Sequence, residues 1–104
     1  MGKFNEGRVY RLALDDIEAI TDYIARDSLT VAARVERRIR AAVALLADQL
    51  TIMGRAGRVG GTAELVIRPY IAVYQVRGEV IEVFAVIDGR RGNIAEIIAD
   101  RLDE

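Results

Sequence analysis

Two pairs of arginines are the residues of this sequence whose type and spacing best suit binding of an anionic partner. Arg55 and Arg58 lie in the glycine-rich stretch GRAGRVGG, and Arg90 and Arg91 lie in the run GRRGN. Guanidinium groups bind phosphates and carboxylates through paired hydrogen bonds, and they stack on aromatic rings. They stay protonated at neutral pH, so they can hold an anion but cannot remove a proton.

Side chains that usually carry out catalysis are scarce. The 104 residues contain no histidine and no cysteine, and Lys3 is the one lysine among the 15 basic residues. The commonest general base and the commonest metal ligands are therefore missing, and we expect no cofactor and no metal. A base for ribonuclease chemistry would have to be Glu64, Asp88 or a tyrosine. The glycine-rich stretch also lacks the lysine of a phosphate-binding P-loop.

Basic charge is concentrated in the middle of the chain, although the net charge is only −1. Residues 28–68 carry seven basic and three acidic side chains, whereas the segments on either side are net acidic. The length predicts a single domain spanning residues 1–104, and the apolar content of 52% excludes wholesale disorder. No apolar run is long enough to cross a membrane, and the start lacks the apolar segment of a signal peptide. A cytoplasmic location is expected.

Two amphipathic helices are predicted before the glycine-rich stretch. The apolar stripe of the first consists of Leu14, Ile17, Ile20 and Ile24. The second is expected to begin after an N-cap at Ser28 and to end near Asp48. Its stripe consists of Ala32, Val35, Ile39, Val43 and Leu46. Because the break between the two helices is short, they should be antiparallel neighbours.

Three strands are predicted after the glycine-rich stretch, in ELVIR, YIAVYQV and VIEVFAVI. The last two are separated by a hairpin turn at Gly78–Glu79, which predicts an antiparallel meander. A short strand near Arg8–Tyr10 is expected at an edge of the sheet. Asn93 and Glu96 resemble a capping box that begins a short C-terminal helix. The expected fold class is α+β, with an N-terminal antiparallel helix hairpin packed on a small antiparallel sheet and a short C-terminal helix.

Both faces of this predicted sheet are apolar, unlike those of a sheet with one solvated face. Unbroken alternation places Phe84 and Val86 on one face of the last strand, with Val83 and Ala85 on the other. The helix hairpin can cover only one face. The C-terminal helix or a partner chain could cover the second, and the sequence leaves this choice open.

The order of elements and three motifs resemble toxins of the ParE/RelE superfamily. The motifs are GRAGRVGGTAELVI, YIAVYQV and VIEVFAVIDGRR, and the resemblance extends from about Leu14 to Arg91. It is closer to the ParE branch and implies the toxin of a bacterial type II toxin–antitoxin pair, neutralised by a cognate antitoxin in a hetero-oligomer. The ParE branch is associated with inhibition of DNA gyrase by binding. Asp88 departs from the pattern, because ParE-like chains often have a histidine before the C-terminal arginines.

We also predict which residues meet the two partners, from their types and their positions in the chain. Target contact is expected from four arginines: Arg55, Arg58, Arg90 and Arg91. Antitoxin contact is expected from a sheet face with four residues: Tyr70, Tyr74, Phe84 and Val86. Spacing alone does not establish whether the two arginine pairs converge. Two alternatives stay open, namely a RelE-like ribosome-dependent mRNA endonuclease and an inactive relative that keeps only antitoxin binding.

Overall fold

The predicted helices and strands are present in the predicted order. The computed structural model describes residues 7–48 and 54–103. Strand β1 (Gly7–Val9) precedes helices α1 (Arg11–Ala25) and α2 (Leu29–Asp48). Strands β2 (Arg55–Ala56), β3 (Ala63–Ile67), β4 (Tyr70–Arg77) and β5 (Val80–Asp88) follow, and then helix α3 (Ile94–Leu102). None of these helices is long and apolar enough to span a membrane. The α+β fold class is confirmed.

Helices α1 and α2 pack against each other and are joined by a short turn, as the sequence predicts. The Ser28 hydroxyl accepts a hydrogen bond from the Val31 amide at 3.1 Å, which confirms the predicted N-cap. The stripe predicted for α1 is partly wrong, because Leu14 is 39% exposed whereas Ala13 and Thr21 are buried. Ala13, Ile17 and Thr21 follow one another at four-residue spacing and form the inner face, where small side chains allow a close approach.

Within the described residues, the sheet has five strands in the order β1-β5-β4-β3-β2. Strands β2, β3, β4 and β5 pair with one another in the antiparallel sense. Strand β1 pairs with the other edge of β5 in the parallel sense. The predicted meander and the predicted edge strand are both confirmed. The sequence prediction missed β2, because two residues flanked by glycines carry no periodic signal.

A β-bulge in β5 exchanges the two faces of that strand. Val73 pairs with Ala85 and Tyr74 pairs with Val83, so Phe84 has no residue opposite it. An extra residue of this kind interrupts the alternation of side chains. Phe84 and Val86 therefore lie in different apolar clusters. The prediction that they share a face is wrong, because it assumed unbroken alternation.

Each face of the sheet has its own apolar core. The larger core lies beneath the helix hairpin and contains Ile17, Ile39 and Tyr74. The smaller core joins Ile94 and Ile98 of α3 to sheet residues that include Val73 and Phe84. Helix α3 thus covers the second apolar face within this chain. The predicted capping box does not form, since the Asn93 side chain makes no capping hydrogen bond.

The edge of β5 beyond the end of β1 is completed by side chains from two helices. Asp16 of α1 accepts a hydrogen bond from the Val86 amide at 2.8 Å. Arg101 of α3 donates to both carboxylate oxygens of Asp16, at 2.6 and 2.7 Å, and to the Phe84 carbonyl at 3.1 Å. Both charged side chains are less than a fifth exposed. This ion pair therefore connects α1, β5 and α3.

Candidate functional site

The glycine-rich stretch folds into a hairpin and is not an open loop. Arg55 and Ala56 of β2 pair with Glu64 and Ala63 of β3. The Gly57 amide donates to the Thr62 carbonyl at 2.9 Å, which closes the loop between the strands. Gly61 has a φ of 85°, a conformation that other residues rarely adopt. The motif is therefore an ordered β-hairpin whose backbone positions Arg55 and Arg58.

Gly54 attaches this hairpin to the larger core. Its amide donates a hydrogen bond to the hydroxyl of the fully buried Tyr74 at 3.0 Å. A Cβ atom at Gly54 would collide with that hydroxyl and with the Glu64 carbonyl. Glycine is therefore required here by close approach, and the contact fixes the start of β2 relative to the sheet.

Glu64 holds the two arginines of the hairpin. This residue is only 1% exposed, and its carboxylate accepts hydrogen bonds from Arg58 Nε at 2.8 Å, Nη2 at 3.0 Å and the backbone amide at 3.1 Å. Arg55 Nη2 lies 3.5 Å from the same carboxylate. The hydrogen bonds from Arg58 lower the pKa of Glu64 and outweigh the opposing effect of burial, while they raise the pKa of Arg58. Glu64 is thus a buried anion with a structural role in the hairpin.

Asp88 plays a similar part at the end of β5. It accepts hydrogen bonds from Arg90 Nε at 2.9 Å, Nη2 at 2.7 Å and the backbone amide at 2.9 Å. The side-chain hydrogen bonds from Arg90 are the main reason that the pKa of Asp88 falls to about 2. Arg90 is consequently held in a defined orientation, even though its side chain is 71% exposed.

Three of the four arginines predicted to bind the target line one open cavity of about 540 Å3. They are Arg55, Arg58 and Arg90, and we call this space the arginine cavity. Arg91 is exposed and is not among the lining residues. The sequence prediction missed a fourth lining arginine, Arg68, together with much of the apolar part of the wall: Val66, Pro69 and Ile71. Tyr70, which the sequence analysis predicted as an antitoxin contact, also lines this cavity. Glu64, Val66 and Arg68 alternate along one face of the chain, and this spacing is the signal that could have found Arg68.

A second cavity of about 320 Å3, here called the Tyr23 cavity, adjoins the first. Its walls include Ile20, Tyr23 and Ile24 of α1, and Tyr23 is 68% exposed. Tyr70 and Arg90 line both cavities. The two cavities therefore lie next to each other; four arginines line the first, whereas apolar residues of α1 line much of the second.

The four residues predicted to contact an antitoxin are not gathered on one exposed face. Tyr70, Tyr74 and Val86 belong to the core beneath the helix hairpin, and Phe84 belongs to the core beneath α3. All four are buried within the chain. Of the four, Tyr70 alone lines the arginine cavity, and it also lines the Tyr23 cavity.

The carboxylates of the site are poorly suited to general base catalysis. Glu64 and Asp88, two of the groups that could act as the base of a ribonuclease, both have lowered pKa values and are engaged by arginines. A base whose pKa lies far below the working pH accepts protons weakly. Within residues 7–48 and 54–103, no group of three or more carboxylates is placed to hold a metal ion. This arrangement favours binding of an anionic group over proton transfer.

Known proteins resemble this chain in sequence and in fold. A family model described as "ParE toxin of type II toxin-antitoxin system, parDE" matches residues 8–92. A Sinorhizobium fredii protein named "Putative toxin Y4kP" is 41% identical over 70 residues, which cover 65% of this chain and 72% of that protein. A solved structure titled "Chromosomal ParDE TA system from P. aeruginosa" matches with a TM-score of 0.71 and 25% identity, over 80% of this chain and 94% of the other.

These matches define the class as a toxin of a type II toxin–antitoxin system. The chain belongs to the ParE toxin family. The family resemblance predicted from the sequence is therefore confirmed. Helix α3 begins after the last residue that the family model matches.

Proposed function

We propose that this ParE-family toxin acts by binding DNA gyrase and that its arginine cavity makes the contact. The observation that carries the proposal is the convergence of Arg55, Arg58 and Arg90 on one cavity, although Arg90 is far from the other two in the sequence. Arginines that are already oriented lose little side-chain entropy when they bind, which favours recognition of a carboxylate or phosphate.

Binding is proposed over catalysis because the neighbouring carboxylates are occupied. Glu64 and Asp88 orient arginines and have lowered pKa values, so neither is placed as a free base. A RelE-like endonuclease would need another base and an acid for the leaving oxygen. The gyrase hypothesis needs only a rigid surface of suitable charge and shape.

A cognate antitoxin is proposed as the second partner, in a hetero-oligomer that prevents the toxin from reaching its target. The support is the family itself, together with the solved relative that is titled a ParDE toxin–antitoxin system. Action on gyrase places the toxin in the cytoplasm. A short neighbouring gene that encodes a DNA-binding domain with an amphipathic C-terminal segment would be the candidate antitoxin.

The test combines a gyrase supercoiling assay with in vitro translation in which mRNA cleavage is mapped. Wild-type protein is expected to inhibit supercoiling without cleaving mRNA. The double variant R55A/R68A is expected to lose at least ~10-fold in inhibitory potency, because two exposed cationic contacts disappear. The control R34A/R37A removes the same charge from exposed positions of α2 and should retain inhibition. Both variants should have the circular dichroism spectrum and the thermal unfolding midpoint of the wild-type protein.

Other outcomes separate the alternatives. Cleavage at fixed codon positions would overturn the gyrase proposal in favour of a RelE-like endonuclease. Failure of wild-type protein in both assays, combined with binding of the neighbouring gene product, would identify an inactive relative that keeps antitoxin binding. Equal inhibition by R55A/R68A and wild type would remove the arginine cavity from the contact.

A further inference from the structure

A further cavity, of about 520 Å3, shares no lining residue with the arginine cavity or the Tyr23 cavity. We call it the Arg77 cavity. Its walls come from the start of α1, from the β4–β5 hairpin and from the last turn of α3. A concave space of this size, closed by several elements, is typical of small-molecule sites. Arg101 and Leu102 of the wall lie beyond the last residue that the family model matches, so the cavity includes an element outside the family match.

The apolar part of the Arg77 cavity is open to solvent on one side. Tyr10 and Leu12, which both line it, are 41% and 39% exposed. Phe84 and Leu102 add two apolar side chains that pack in the core beneath α3. A ligand with an apolar body would remove the exposed parts of these side chains from water, and this burial favours binding.

The polar part of the wall contains one oriented arginine. Arg77 Nε donates a hydrogen bond to Glu82 at 2.8 Å, and the Glu82 side chain is only 9% exposed whereas that of Arg77 is 70% exposed. Because this hydrogen bond uses Nε, both Nη groups are left without a hydrogen-bond partner among the described residues. The buried carboxylate therefore holds the guanidinium in place, and its terminal donors can bind an incoming carboxylate in the bidentate manner.

The charges of the wall favour one negative charge on the ligand. Arg101 is already paired with Asp16, and Glu82 has its own partner in Arg77. Arg11 is exposed and makes no ion pair with any residue that the structure describes. One guanidinium is thus in excess. A cationic ligand would have to displace Arg77 from Glu82, whereas an anionic ligand leaves both existing pairs intact.

We propose that the Arg77 cavity binds a small organic monoanion, namely a carboxylate attached to a compact apolar body. The Nη groups of Arg77 bind the carboxylate, Arg11 adds positive charge, and the apolar body lies against Leu12 and Phe84. Since part of the wall belongs to α3, the ligand binds only when this helix is packed on the sheet, and it stabilises that packing. The site makes the C-terminal helix responsive to a small carboxylate, and it does not depend on the function proposed for the arginine cavity.

The test is titration of 15N-labelled full-length protein with 2-naphthoate, followed through the chemical shifts of the backbone amides. Binding in the millimolar range or tighter is expected for a ligand of this size, with the largest shifts at the cavity wall. The neutral analogue 2-naphthamide should bind ~10-fold or more weakly, because it lacks the charge. L12W fills the cavity and should abolish binding. The control L14W alters a residue of the same helix that is also 39% exposed but does not line the cavity, and it should bind as wild type does.

A second pair of variants tests the oriented arginine. R77A/E82Q removes the ion pair without leaving a buried carboxylate unpaired, and it should weaken binding of 2-naphthoate ~10-fold or more. The control E36Q/R40A makes the same change to an exposed ion pair of α2 and should leave binding unchanged. Saturating 2-naphthoate should also slow hydrogen–deuterium exchange of the α3 amides in the wild-type protein.

Four results would overturn the proposal. The first is the absence of shifts at the cavity wall up to the solubility limit of 2-naphthoate. The second is equal binding of 2-naphthamide and 2-naphthoate, and the third is tighter binding of the cation 2-naphthylmethylammonium, which would make Glu82 the recognised group. The fourth is equal binding by L12W and L14W, which would place the ligand elsewhere. None of these measurements uses gyrase, so their outcome and that of the supercoiling assay are independent.

Discussion

Replacement of Glu64 by glutamine tests whether one buried carboxylate supports the whole arginine hairpin. The carboxylate accepts three hydrogen bonds from Arg58 and also faces Arg55. A glutamine side chain can preserve one acceptor, but its NH2 group must then face a guanidinium that also donates. A buried donor without an acceptor costs about 1–3 kcal/mol.

The lost ion pair contributes less than this unsatisfied donor. The Arg58 side chain is 39% exposed, so water screens much of the attraction. An ion pair of this kind stabilises the folded state by about 0.2–1 kcal/mol. The two effects together predict that E64Q lowers the free energy of unfolding by about 2 kcal/mol. For a domain of this size, the midpoint of thermal unfolding should fall by about 10 °C.

The assay is urea unfolding of wild type and E64Q at several pH values. The folded-state pKa of Glu64 lies below its ordinary value of 4.5, so the stabilisation is present above about pH 4.5 and is lost as the pH falls through the folded-state pKa. The difference between the two proteins should therefore shrink as the medium is acidified. The control E36Q breaks an exposed pair with Arg40 and should change stability by less than about 0.5 kcal/mol.

Two observations would refute this reasoning. One is an E64Q protein whose stability lies within about 0.5 kcal/mol of wild type at neutral pH, since an unsatisfied buried donor should cost more. The other is a difference that stays constant from about pH 6 to about pH 3, because Glu64 of the unfolded chain, with its ordinary pKa of 4.5, takes up a proton in that range before the folded chain does. Either result would mean that the hairpin is held by its backbone pairing.

Three further changes give separate tests of the fold. D16A should lower the free energy of unfolding by about 2–3 kcal/mol in urea, because it removes the partner of a mostly buried arginine; the exposed neighbour variant D15A should change it by less than about 0.5 kcal/mol. G54A should lower the thermal midpoint by about 10 °C or more through its collision with the Tyr74 hydroxyl, while G60A, whose Cβ meets nothing within 4 Å, should stay near wild type. Deletion of residues 93–104 should uncover the apolar face beneath α3. Binding of the dye ANS and self-association measured by light scattering should therefore both increase. Unchanged values would show that this face is covered in another way.

The helices and the meander could be predicted because their signals are periodic and local. The stripe of α2 and the N-cap at Ser28 depend on residues close together in sequence. The bulge at Phe84 could not be predicted, because it depends on pairing with β4 and leaves no mark in the alternation of apolar residues when both faces are apolar. The same ambiguity explains the error for Phe84 and Val86.

The site was only partly predictable for a related reason. Arginines could be selected by type, but their convergence depends on strand pairing, which brings the end of β5 beside the end of β3 and places β2 opposite Glu64. Arg68 was overlooked because it follows an apolar strand and resembles an ordinary strand end. Asp16 carried no signal at all, since its partner Arg101 lies 85 positions away. Long-range ion pairs of this kind leave no pattern in a single sequence.

The ion pair between Asp16 and Arg101 has a consequence for the motions of the chain. A nine-residue C-terminal helix would ordinarily fray, with its amide hydrogens exchanging through local opening. Here α3 cannot detach without also breaking a mostly buried ion pair to α1 and releasing the edge of β5 at Phe84. Opening of α3 is thereby coupled to loss of contacts in the helix hairpin and the central sheet. The rates of hydrogen–deuterium exchange of the α3 amides should therefore be close to those of the β5 amides, because both elements open as one cooperative unit.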